Sequence, residues 1–523
     1  MITPPVSMSF ACCSMRASDF IIFAIILSTS LLSQYSCEYK ILAVFPHAGK
    51  SHFFVYEPIL KELVRRGHEL TVISHFAQNK LLINFTDLSL AGAGEIRLNN
   101  LPVSKIVHNP LRNLFIHHRL AERGLQNCEA LNFSHIKNFI KSKPSFDVIL
   151  HEHFNTECFL VLNHIFKAPS MGLAPCTVMP WNSNRYGIPT NPSYIPINLL
   201  PFSDTMTFWE RLVNTVNYIL HTYIMADFLQ IRPADALIKK YFGDNMPSVE
   251  DLARNVSLYL VNSHFSLNKP RPLPPNVIEI AGAHLDKPKP LPPDLEKFIS
   301  DSEHGVIYFS FGSVISERTI SDNVKQAFMD AFSEIPQRVL WKYEDESLPG
   351  KPINVLIRKW IPQFDILSHP NVVGFISHGG LLGSIEAFHN GIPIVSIPFL
   401  GDQFTNAKAL ESHGTAIVLD FLNINKETIS QALKFILKPS ILKKAKNRAR
   451  LFRDRPMSPM DTAIWWIEYV ARNGGADEIK PAVIHMPFYQ SALLDVGLFI
   501  LFVVVIIVYM NYRLFKLILR IID

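Results

Sequence analysis

Short apolar runs alternate with amphipathic helical stretches along most of this chain, and that alternation predicts an α/β fold. In the first half, Ile41–Phe45 and Leu70–Ser74 are predicted strands, and Phe53–Arg66 between them is a predicted helix. Val148–Leu150 predicts another short buried strand, and Phe208–Tyr241 predicts a long helical region. A strand–helix–strand unit of this size is typical of a parallel sheet covered by helices.

The alternation restarts in the second half, after a proline-rich connector over residues 269–293 that is too stiff and too averse to helix for a core. The predicted strands of this half are Val306–Phe311, Val339–Trp341, Val355–Ile357, Val372–Ile376 and Pro393–Ile397. Further on, residues 454–475 predict a helix whose apolar positions are Ala463, Trp466, Ile467 and Val470. The chain therefore contains two α/β halves and a late helix.

Both chain ends carry apolar segments that a globular core does not need, in line with a mean hydropathy of +0.16. Ile21–Leu32 is too short to cross a bilayer and predicts a signal peptide over residues 1–37. Val496–Tyr512 carries no charge, is long enough to cross, and is followed by a basic tail, which predicts a type I topology with a cytosolic C-terminus. Sequons for N-glycosylation agree with a secretory-pathway lumen and lie at Asn84, Asn132 and Asn255.

Charge and cysteine content narrow the class of protein further. The formal net charge of +5 is not clustered outside the C-terminal tail, so the sequence shows no nucleic-acid footprint. The six cysteines form no CxxC pair and no metal-ligand spacing. We interpret Cys128, Cys158 and Cys176 as buried free thiols, while a pairing among them stays open in an oxidising compartment.

The clearest candidate for a binding site lies between Trp360 and Gln403. After the predicted strand Val372–Ile376, Ser377–Gly380 predicts a turn and Gly383–His389 predicts a helix. A helix start offers unpaired N–H groups and the positive end of the helix dipole, which favour a pyrophosphate. Polar residues just past the next strand lie where α/β folds bind ligands. The stretch therefore predicts a nucleotide-diphosphate site.

This order of residues resembles the signature of the UDP-glycosyltransferases, the family that includes the UDP-glucuronosyltransferases, and it looks like the invertebrate branch. The matching residues are Trp360, Gln363, His378, Gly379, Gly380, Glu386, Pro393, Pro398, Asp402 and Gln403. The resemblance implies the GT-B architecture, in which two Rossmann-like domains face each other across the active site, with a C-terminal transmembrane helix. It also implies that the late helix packs back across the cleft.

By resemblance, Trp360 would stack on the uracil, Gln363 would hold the base or ribose, and Glu386 would bind the ribose hydroxyls. The implied phosphate contacts are His378, Gly379 and Gly380, and the implied sugar contacts are Asp402 and Gln403. The alternative for Trp360 is a buried core aromatic.

Five further positions complete the implied donor site or depart from the family pattern. Ser310, Gly312 and Ser313 resemble a strand-end contact to phosphate or ribose, the alternative being a plain tight turn. Lys342 stands where many members have arginine, and it lacks the flat fork of a guanidinium. Leu382 stands where many vertebrate members have asparagine, which removes one phosphate contact.

For the base that activates the acceptor hydroxyl, the sequence points to His52, at the strand-to-helix turn of the first βαβ unit. It matches the family's catalytic histidine, and Glu152 aligns with the acid that orients it. A carboxylate on Nδ1 would fix the tautomer and stabilise the imidazolium. Glu152 could instead be a structural ion-pair partner. The neighbouring His47, His151 and His153 are interpreted as cleft lining.

The resemblance implies inverting, metal-independent transfer of a hexosyl group from a UDP-sugar, a co-substrate rather than a cofactor, to a hydroxyl of a small lipophilic acceptor, as in detoxification. UDP-glucose is favoured over UDP-glucuronate because the departures from the vertebrate pattern resemble the invertebrate branch, and the sequence places no cation for a sugar carboxylate. Two alternatives remain: a catalytically silent, membrane-anchored UDP-sugar-binding protein, or a transferase dedicated to one endogenous lipid or pigment. The expected location is the endoplasmic reticulum membrane with luminal domains, and a homo- or hetero-oligomer stays open.

The resulting predicted organisation has seven segments. They are a signal peptide (1–37), an acceptor-binding domain (38–268), the connector (269–293), a nucleotide-sugar-binding domain (294–453), a helical segment across the cleft (454–490), a transmembrane helix (493–512) and a cytosolic tail (513–523).

Overall fold

The computed structural model describes residues 38–78, 80–96, 101–104 and 112–522. The predicted signal peptide, residues 1–37, lies outside the described residues. Two parallel sheets dominate the described part of the chain, one in each half, with helices on both faces.

The first sheet has seven parallel strands in the order β3-β2-β1-β5-β6-β7-β8. The strands of this half are β1 (Lys40–Phe45), β2 (Glu69–Ser74), β3 (Phe85–Ser89), β4 (Leu101–Pro102), β5 (Val148–Glu152), β6 (Ser170–Ala174), β7 (Leu258–Val261) and β8 (Val277–Glu279). All but the first residue of β1 is buried, because helices cover both faces of the sheet. The predicted βαβ unit is confirmed.

Helices of the first half are α1 (Lys50–Arg65), α2 (Arg112–Cys128), α3 (Ser134–Ser142), α4 (Val161–Phe166), α5 (Phe208–Ile219), α6 (Arg232–Phe242), α7 (Val249–Arg254) and α8 (Phe265–Asn268). Short 3₁₀ turns lie at Glu129–Asn132, Glu157–Leu160, Pro180–Asn182 and Asn184–Tyr186. Between α5 and α6, Leu220–Ile231 is a π-helix. The predicted long helical region is therefore one continuous helical segment whose central section is wider.

The second sheet has six parallel strands in the order β12-β11-β9-β13-β14-β15. The strands of this half are β9 (Val306–Ser310), β10 (Ile315–Ser316), β11 (Arg338–Lys342), β12 (Val355–Arg358), β13 (Val372–Ser377), β14 (Ile394–Ser396) and β15 (Ala416–Val418). The five predicted strands are confirmed, and β15 is an additional edge strand. Outside both sheets, β10 pairs with β4 of the first half, so a short parallel ladder joins the halves.

Helices of the second half are α9 (Pro293–Ser300), α10 (Asp322–Ser333), α11 (Gln363–Leu367), α12 (Leu381–Asn390), α13 (Gln403–Ser412), α14 (Lys426–Ile436) and α15 (Pro439–Arg453). Helices α16 (Pro459–Asn473), α17 (Phe488–Ser491) and α18 (Leu494–Ile522) follow. The buried face of α16 packs in the same apolar cluster as β1 and α1, and Arg66 forms an ion pair with Asp461 at 2.6 Å. The late helix thus returns to the first half.

Helix α18 is long and apolar enough to cross a membrane. Its 29 residues correspond to about 44 Å of helix, more than the hydrocarbon thickness of about 30 Å. The helix extends past the predicted end at residue 512 and includes the basic residues of the tail.

Two predictions about the first half are wrong. Cys128 and Cys158 form a disulfide, with Cα atoms 6.0 Å apart, and only Cys176 is a free buried thiol among the described residues. No local pattern marks this pair, because α2 and the 3₁₀ turn that carries Cys158 meet only in the folded chain. The connector 269–293 contributes to the core, contrary to the expectation that it is too stiff for one. It contains β8, whose Val277 is buried, since this strand completes the edge of the first sheet.

Candidate active site

A cavity of about 580 Å³ lies between the two halves, at the carboxyl ends of both sheets. Both sheets reverse their strand order at this edge, the first between β1 and β5 and the second between β9 and β13. Open α/β sheets bind ligands at such switch points. The fold therefore brings the loop after β1 and the loop after β13 to one site, although more than 300 residues separate them.

His52 and Glu152 form a hydrogen-bonded pair at this cavity. His52 lies in the first turn of α1, and Glu152 is the last residue of β5, which pairs with β1. Nδ1 of His52 is 2.7 Å from Oε1 of Glu152. The histidine side chain is 20% exposed and the carboxylate only 1%, so the imidazole faces the cavity with the carboxylate behind it. Nε2 is thereby left for a ligand.

Burial governs the protonation of both groups. It lowers the pKa of His52, since a buried imidazolium loses its hydration, and it raises the pKa of the Glu152 carboxyl for the corresponding reason. The resting imidazole is therefore neutral at neutral pH, which is the form that accepts a proton. A proton taken up at Nε2 would be stabilised by the carboxylate on Nδ1.

His47 supports this pair in a way that its interpretation as a lining residue missed. Its backbone N–H donates to Oε2 of Glu152 at 3.2 Å, and its ring stacks on His52 with centroids 3.9 Å apart. Gly49 makes the stack possible, because a Cβ there would lie 2.7 Å from Cε1 of His47. Phe154 packs edge-on against both rings. The ring orientation of His52 is thus fixed on three sides.

The interpretation of His151 and His153 as cleft lining is wrong. Both side chains are buried beneath the sheet edge, where His151 bonds to Asn163 and Nδ1 of His153 lies 2.6 Å from the hydroxyl of Tyr186. Alternating strand geometry explains this result, since residues 151 and 153 point away from the side on which Glu152 lies.

The predicted phosphate turn lies at the start of α12, with His378, Gly380 and the following residues lining the cavity. Gly379 has a φ of 79°, and a Cβ there would lie 2.8 Å from Ser396 Oγ, so the turn requires glycine. His378 packs against Gly312 and Gly380. Burial and the nearby charge of Lys342 lower the pKa of His378 to about 4, which keeps this imidazole neutral.

Gln363 and Glu386 are connected before any ligand binds. Nε2 of Gln363 donates to Oε2 of Glu386 at 2.6 Å, and the Tyr308 hydroxyl donates to Oε1 of Gln363 at 3.3 Å. This chain fixes which end of the amide faces the carboxylate. Burial raises the pKa of Glu386 to about 7. Trp360 at the cavity rim is 72% exposed, so the alternative of a buried core aromatic is wrong for this residue.

Asp402 and Gln403 line the cavity after β14. Burial raises the pKa of Asp402 to about 6, while Asn406 donates to its Oδ2 at 3.1 Å. Oε1 of Gln403 accepts the backbone N–H groups of Phe399 and Leu400 at 2.8 and 3.0 Å. The amide oxygen of Gln403 therefore holds the loop after β14, and only its NH₂ group is left for a ligand.

The loop after β9 is held by charged side chains. Lys342 donates from Nζ to the Gly312 carbonyl at 2.6 Å, and the neighbouring Ser313 lines the cavity. Glu317, which the sequence did not single out, is buried beneath this loop and accepts from the Phe311 N–H at 3.0 Å. Burial raises the pKa of Glu317 to about 7. Lys342 therefore binds the loop after β9 directly. Nothing in the sequence pattern had marked Glu317 as a supporting residue.

Leu382 lies in the first turn of α12, lines the cavity and packs against the apolar cluster of the first half. At this position the chain therefore has an apolar contact between the halves in place of a polar side chain. The three predicted glycosylation acceptors, Asn84, Asn132 and Asn255, are all exposed.

A family model described as "UDP-glucoronosyl and UDP-glucosyl transferase" matches residues 40–522. The chain is 38% identical over 514 residues to UDP-glycosyltransferase UGT5 of Dactylopius coccus, covering 96% of both chains. It is 37% identical to UDP-glucosyltransferase 2 of the same species, covering 92% of both, and 31% identical to UDP-glucuronosyltransferase 1A8 of Rattus norvegicus, covering 90% of both.

Solved glycosyltransferases share the fold. The glycotransferase of kitacinnamycin superposes with a TM-score of 0.56 at 17% identity, over 83% of this chain and 99% of that one. The calicheamicin glycosyltransferase CalG4 gives a TM-score of 0.55 at 16% identity, over 84% and 100% of the two chains. The predicted GT-B architecture of two facing Rossmann-like domains is confirmed.

Proposed function

Because the chain belongs to the family of UDP-glucuronosyl and UDP-glucosyl transferases, we propose that it transfers glucose from UDP-glucose to a hydroxyl of a small lipophilic acceptor, with inversion. One observation carries the proposal. The His52–Glu152 pair and the nucleotide turn at the start of α12 line the same cavity from opposite halves. A base and a site for the leaving group thus face each other across the space where a sugar would lie.

In the proposed reaction, Nε2 of His52 accepts the acceptor's hydroxyl proton while that oxygen attacks the anomeric carbon. The bond between this carbon and the diphosphate oxygen breaks, and UDP leaves with the electron pair. Glu152 stabilises the imidazolium that forms. The N–H groups at the start of α12 and His378 donate to the diphosphate as its charge grows, which lowers the barrier. The product is β-linked when the donor is α-linked.

We assign the donor contacts by their position in the cavity. Trp360, exposed at the rim, would stack on the uracil, and the linked pair Gln363 and Glu386 would hold the ribose. Ser313 and Lys342 would lie beside the phosphates. Asp402 and the NH₂ group of Gln403 would bind the sugar hydroxyls.

Two observations support glucose over glucuronate as the transferred sugar. Among the cavity-lining residues that the structure describes, the second half contributes one lysine or arginine, Lys342, and its ammonium already donates to the Gly312 carbonyl. A glucuronate carboxylate would need a cation close to Asp402. In addition, identity is 37% to a relative named as a UDP-glucosyltransferase and 31% to one named as a UDP-glucuronosyltransferase.

The acceptor side of the cavity supports a lipophilic substrate. Apolar side chains of the first half line it, among them Ile116, Leu120, Phe154, Met179 and Leu199. Such a surface binds an aromatic or alicyclic body through burial of apolar area. We further infer a type I protein of the endoplasmic reticulum membrane, anchored by α18, with the catalytic halves in the lumen. The Cys128–Cys158 disulfide and the exposed sequons support an oxidising, glycosylating compartment.

The test uses the full-length protein in membranes, with radiolabelled UDP-glucose or UDP-glucuronate and a panel of phenols. We expect transfer from UDP-glucose, a β-linked product, and loss of transfer with unchanged UDP binding in His52→Ala. Full turnover by His52→Ala would refute the assignment of the base. UDP binding without turnover of any acceptor would favour the silent binding protein, and turnover of a single endogenous lipid or pigment would favour the dedicated transferase.

A further inference from the structure

The rod formed by α5 and the π-helix, Phe208–Ile231, has its polar and apolar faces reversed relative to an ordinary surface helix. Its outward face carries large apolar side chains that are 42–71% exposed, namely Phe208, Trp209, Leu212, Val213, Val216, Ile219, Ile224 and Phe228. They recur every three to five residues, with two adjacent pairs at 208/209 and 212/213, which places them along one side of the rod. Surface helices of soluble proteins show the opposite arrangement.

The inward face of the same rod is polar, and several of its side chains form hydrogen bonds with the protein. Asn214, fully buried, accepts from the Ile197 N–H at 2.9 Å and donates to the Pro192 and Ile195 carbonyls. Nδ1 of His221 lies 3.0 Å from Nδ1 of His117 on α2. The rod is therefore held to the fold by hydrogen bonds, and its apolar residues are left on the outside. Only three charged residues, Glu210, Arg211 and Asp227, lie within it.

We propose that this outward face is a second membrane contact, which lies in the interface of the bilayer that α18 crosses. The face spans about 30 Å of helix, the length typical of a helix that lies in the membrane plane. Trp209 and Phe208 lie at one end, and aromatic side chains favour the membrane–water boundary. At the other end the guanidinium of Arg232 lies 4.3 Å from the centroid of the Phe228 ring and pairs with Asp227 at 2.7 Å, so charged groups border the apolar face there.

Continuity with the anchor identifies lipid rather than a second copy of the chain as the occupant. The ring of Tyr223 contacts that of Phe488 on α17, with centroids 5.2 Å apart, and α17 ends three residues before α18 begins. Phe488, Tyr489 and Leu493 are themselves 51–63% exposed. The outward face and the start of α18 thus form one apolar surface, which an inserted α18 brings to the bilayer.

The contact has a consequence for the acceptor. His117 contacts the rod from α2, and its helix neighbours Ile116 and Leu120 line the acceptor side of the cavity. The rod and α2, in contact through His117 and His221, therefore lie between the outward face and that wall. This placement suits acceptors that partition into lipid, and it rests on the proposed anchoring by α18.

The experiment places full-length protein in nanodiscs loaded with one copy, made from brominated or unbrominated phosphatidylcholine. Bromine quenches tryptophans that contact lipid. We expect bromolipid quenching in the wild type, its loss in Trp209→Phe, and its retention in Trp360→Phe, which removes an equally exposed tryptophan at the cavity rim. Equal quenching in wild type and Trp209→Phe would overturn the proposal.

A second measurement tests the face without removing the probe. Val216→Glu is expected to increase the quenching of Trp209 by aqueous acrylamide several-fold, and Val216→Leu is expected to leave it unchanged. Shielding of Trp209 that appears only in discs with two copies would show a dimer interface and overturn the proposal. Protein that fails to enter the discs would refute anchoring by α18, whereas protein that enters with Trp209 exposed to water would refute the second contact alone.

Discussion

Glu152→Gln is the sharpest perturbation of the proposed base. Oε2 of Glu152 accepts the backbone N–H of His47, so in the variant the amide oxygen must occupy that position. The NH₂ group then faces Nδ1 of His52, at the place where Oε1 now lies 2.7 Å away. An amide donor there requires a lone pair on Nδ1 and therefore a proton on Nε2. The variant locks His52 in the tautomer that cannot accept a proton from the acceptor.

The expected loss follows from two effects. Replacing a charge-assisted hydrogen bond by a neutral one costs about 1–2 kcal/mol, or about tenfold in rate. A wrong tautomer in an acid–histidine pair costs about 10⁴ in kcat. The second figure already includes the lost charge, so we expect kcat to fall by about 10⁴-fold in total, or about 5 kcal/mol. Glu152→Asp keeps the charge and both acceptor oxygens but recedes by about 1.5 Å, so a smaller loss of about 10- to 100-fold is expected.

The assay is kcat with UDP-glucose and a phenol, alongside UDP affinity by calorimetry. Affinity for UDP is expected to stay unchanged, because Glu152 lies in the first half, away from α12. A kcat for Glu152→Gln within about threefold of wild type would refute the assigned role. Equal losses in Gln and Asp variants, with weaker UDP binding, would instead identify Glu152 as a structural ion-pair partner.

Further predictions concern stability, phosphate binding and pH. Replacing Cys128 and Cys158 by serine removes a cross-link over 30 residues, and we expect a lower Tm and a loss of about 4 kcal/mol in unfolding free energy; an unchanged Tm would contradict this. Gly379→Ala places a Cβ 2.9 Å from a backbone oxygen at a φ of 79°, so UDP binding is expected to weaken by about tenfold or more in calorimetry, whereas Gly474→Ala, at a φ of 68° in open space, leaves it unchanged. Since burial sets the pKa of Glu386 at about 7, KM for UDP-glucose is expected to rise as pH falls below 7 and the carboxyl takes up a proton, and Glu386→Gln is expected to abolish this dependence; a flat wild-type profile would contradict the ribose contact.

The sheets were predictable because local pattern determines them. Runs such as Val372–Ile376 are apolar throughout, which only a strand covered on both faces requires, and each was found within one or two residues. Five strands of the two sheets were not predicted, namely β3, β6, β7, β8 and β15, and the last two have only three residues each, too few for a period to show. The disulfide was missed for a different reason, since contact between distant segments leaves no local signal.

The part of the site that one contiguous stretch of sequence forms was predictable. The part that depends on contacts between distant residues was less so. The turn Ser377–Gly380 followed from its position between a strand and a helix. By contrast, the stacking of His47 on His52 depends on the orientation of the two rings in the folded chain. The support that Glu317 gives to the loop after β9 depends on a hydrogen bond from the Phe311 N–H to its buried carboxyl group. The hydrogen bonds of Gln403 also depend on tertiary structure: its amide oxygen holds the loop after β14, and only its NH₂ group is left for a ligand.

The two chemical halves of the site lie on separate sheets, so their distance depends on contacts outside both. Helix α16 fixes the first half from behind, through its apolar face and the Arg66–Asp461 ion pair. The β4–β10 ladder and Leu382 join the halves on either side of the cavity. A displacement of about 1 Å between base and donor is enough to cost about 10²-fold in rate. By packing between the halves, the apolar Leu382 therefore helps to align the base with the donor site. This contribution to alignment compensates for the phosphate contact that an asparagine at this position would supply.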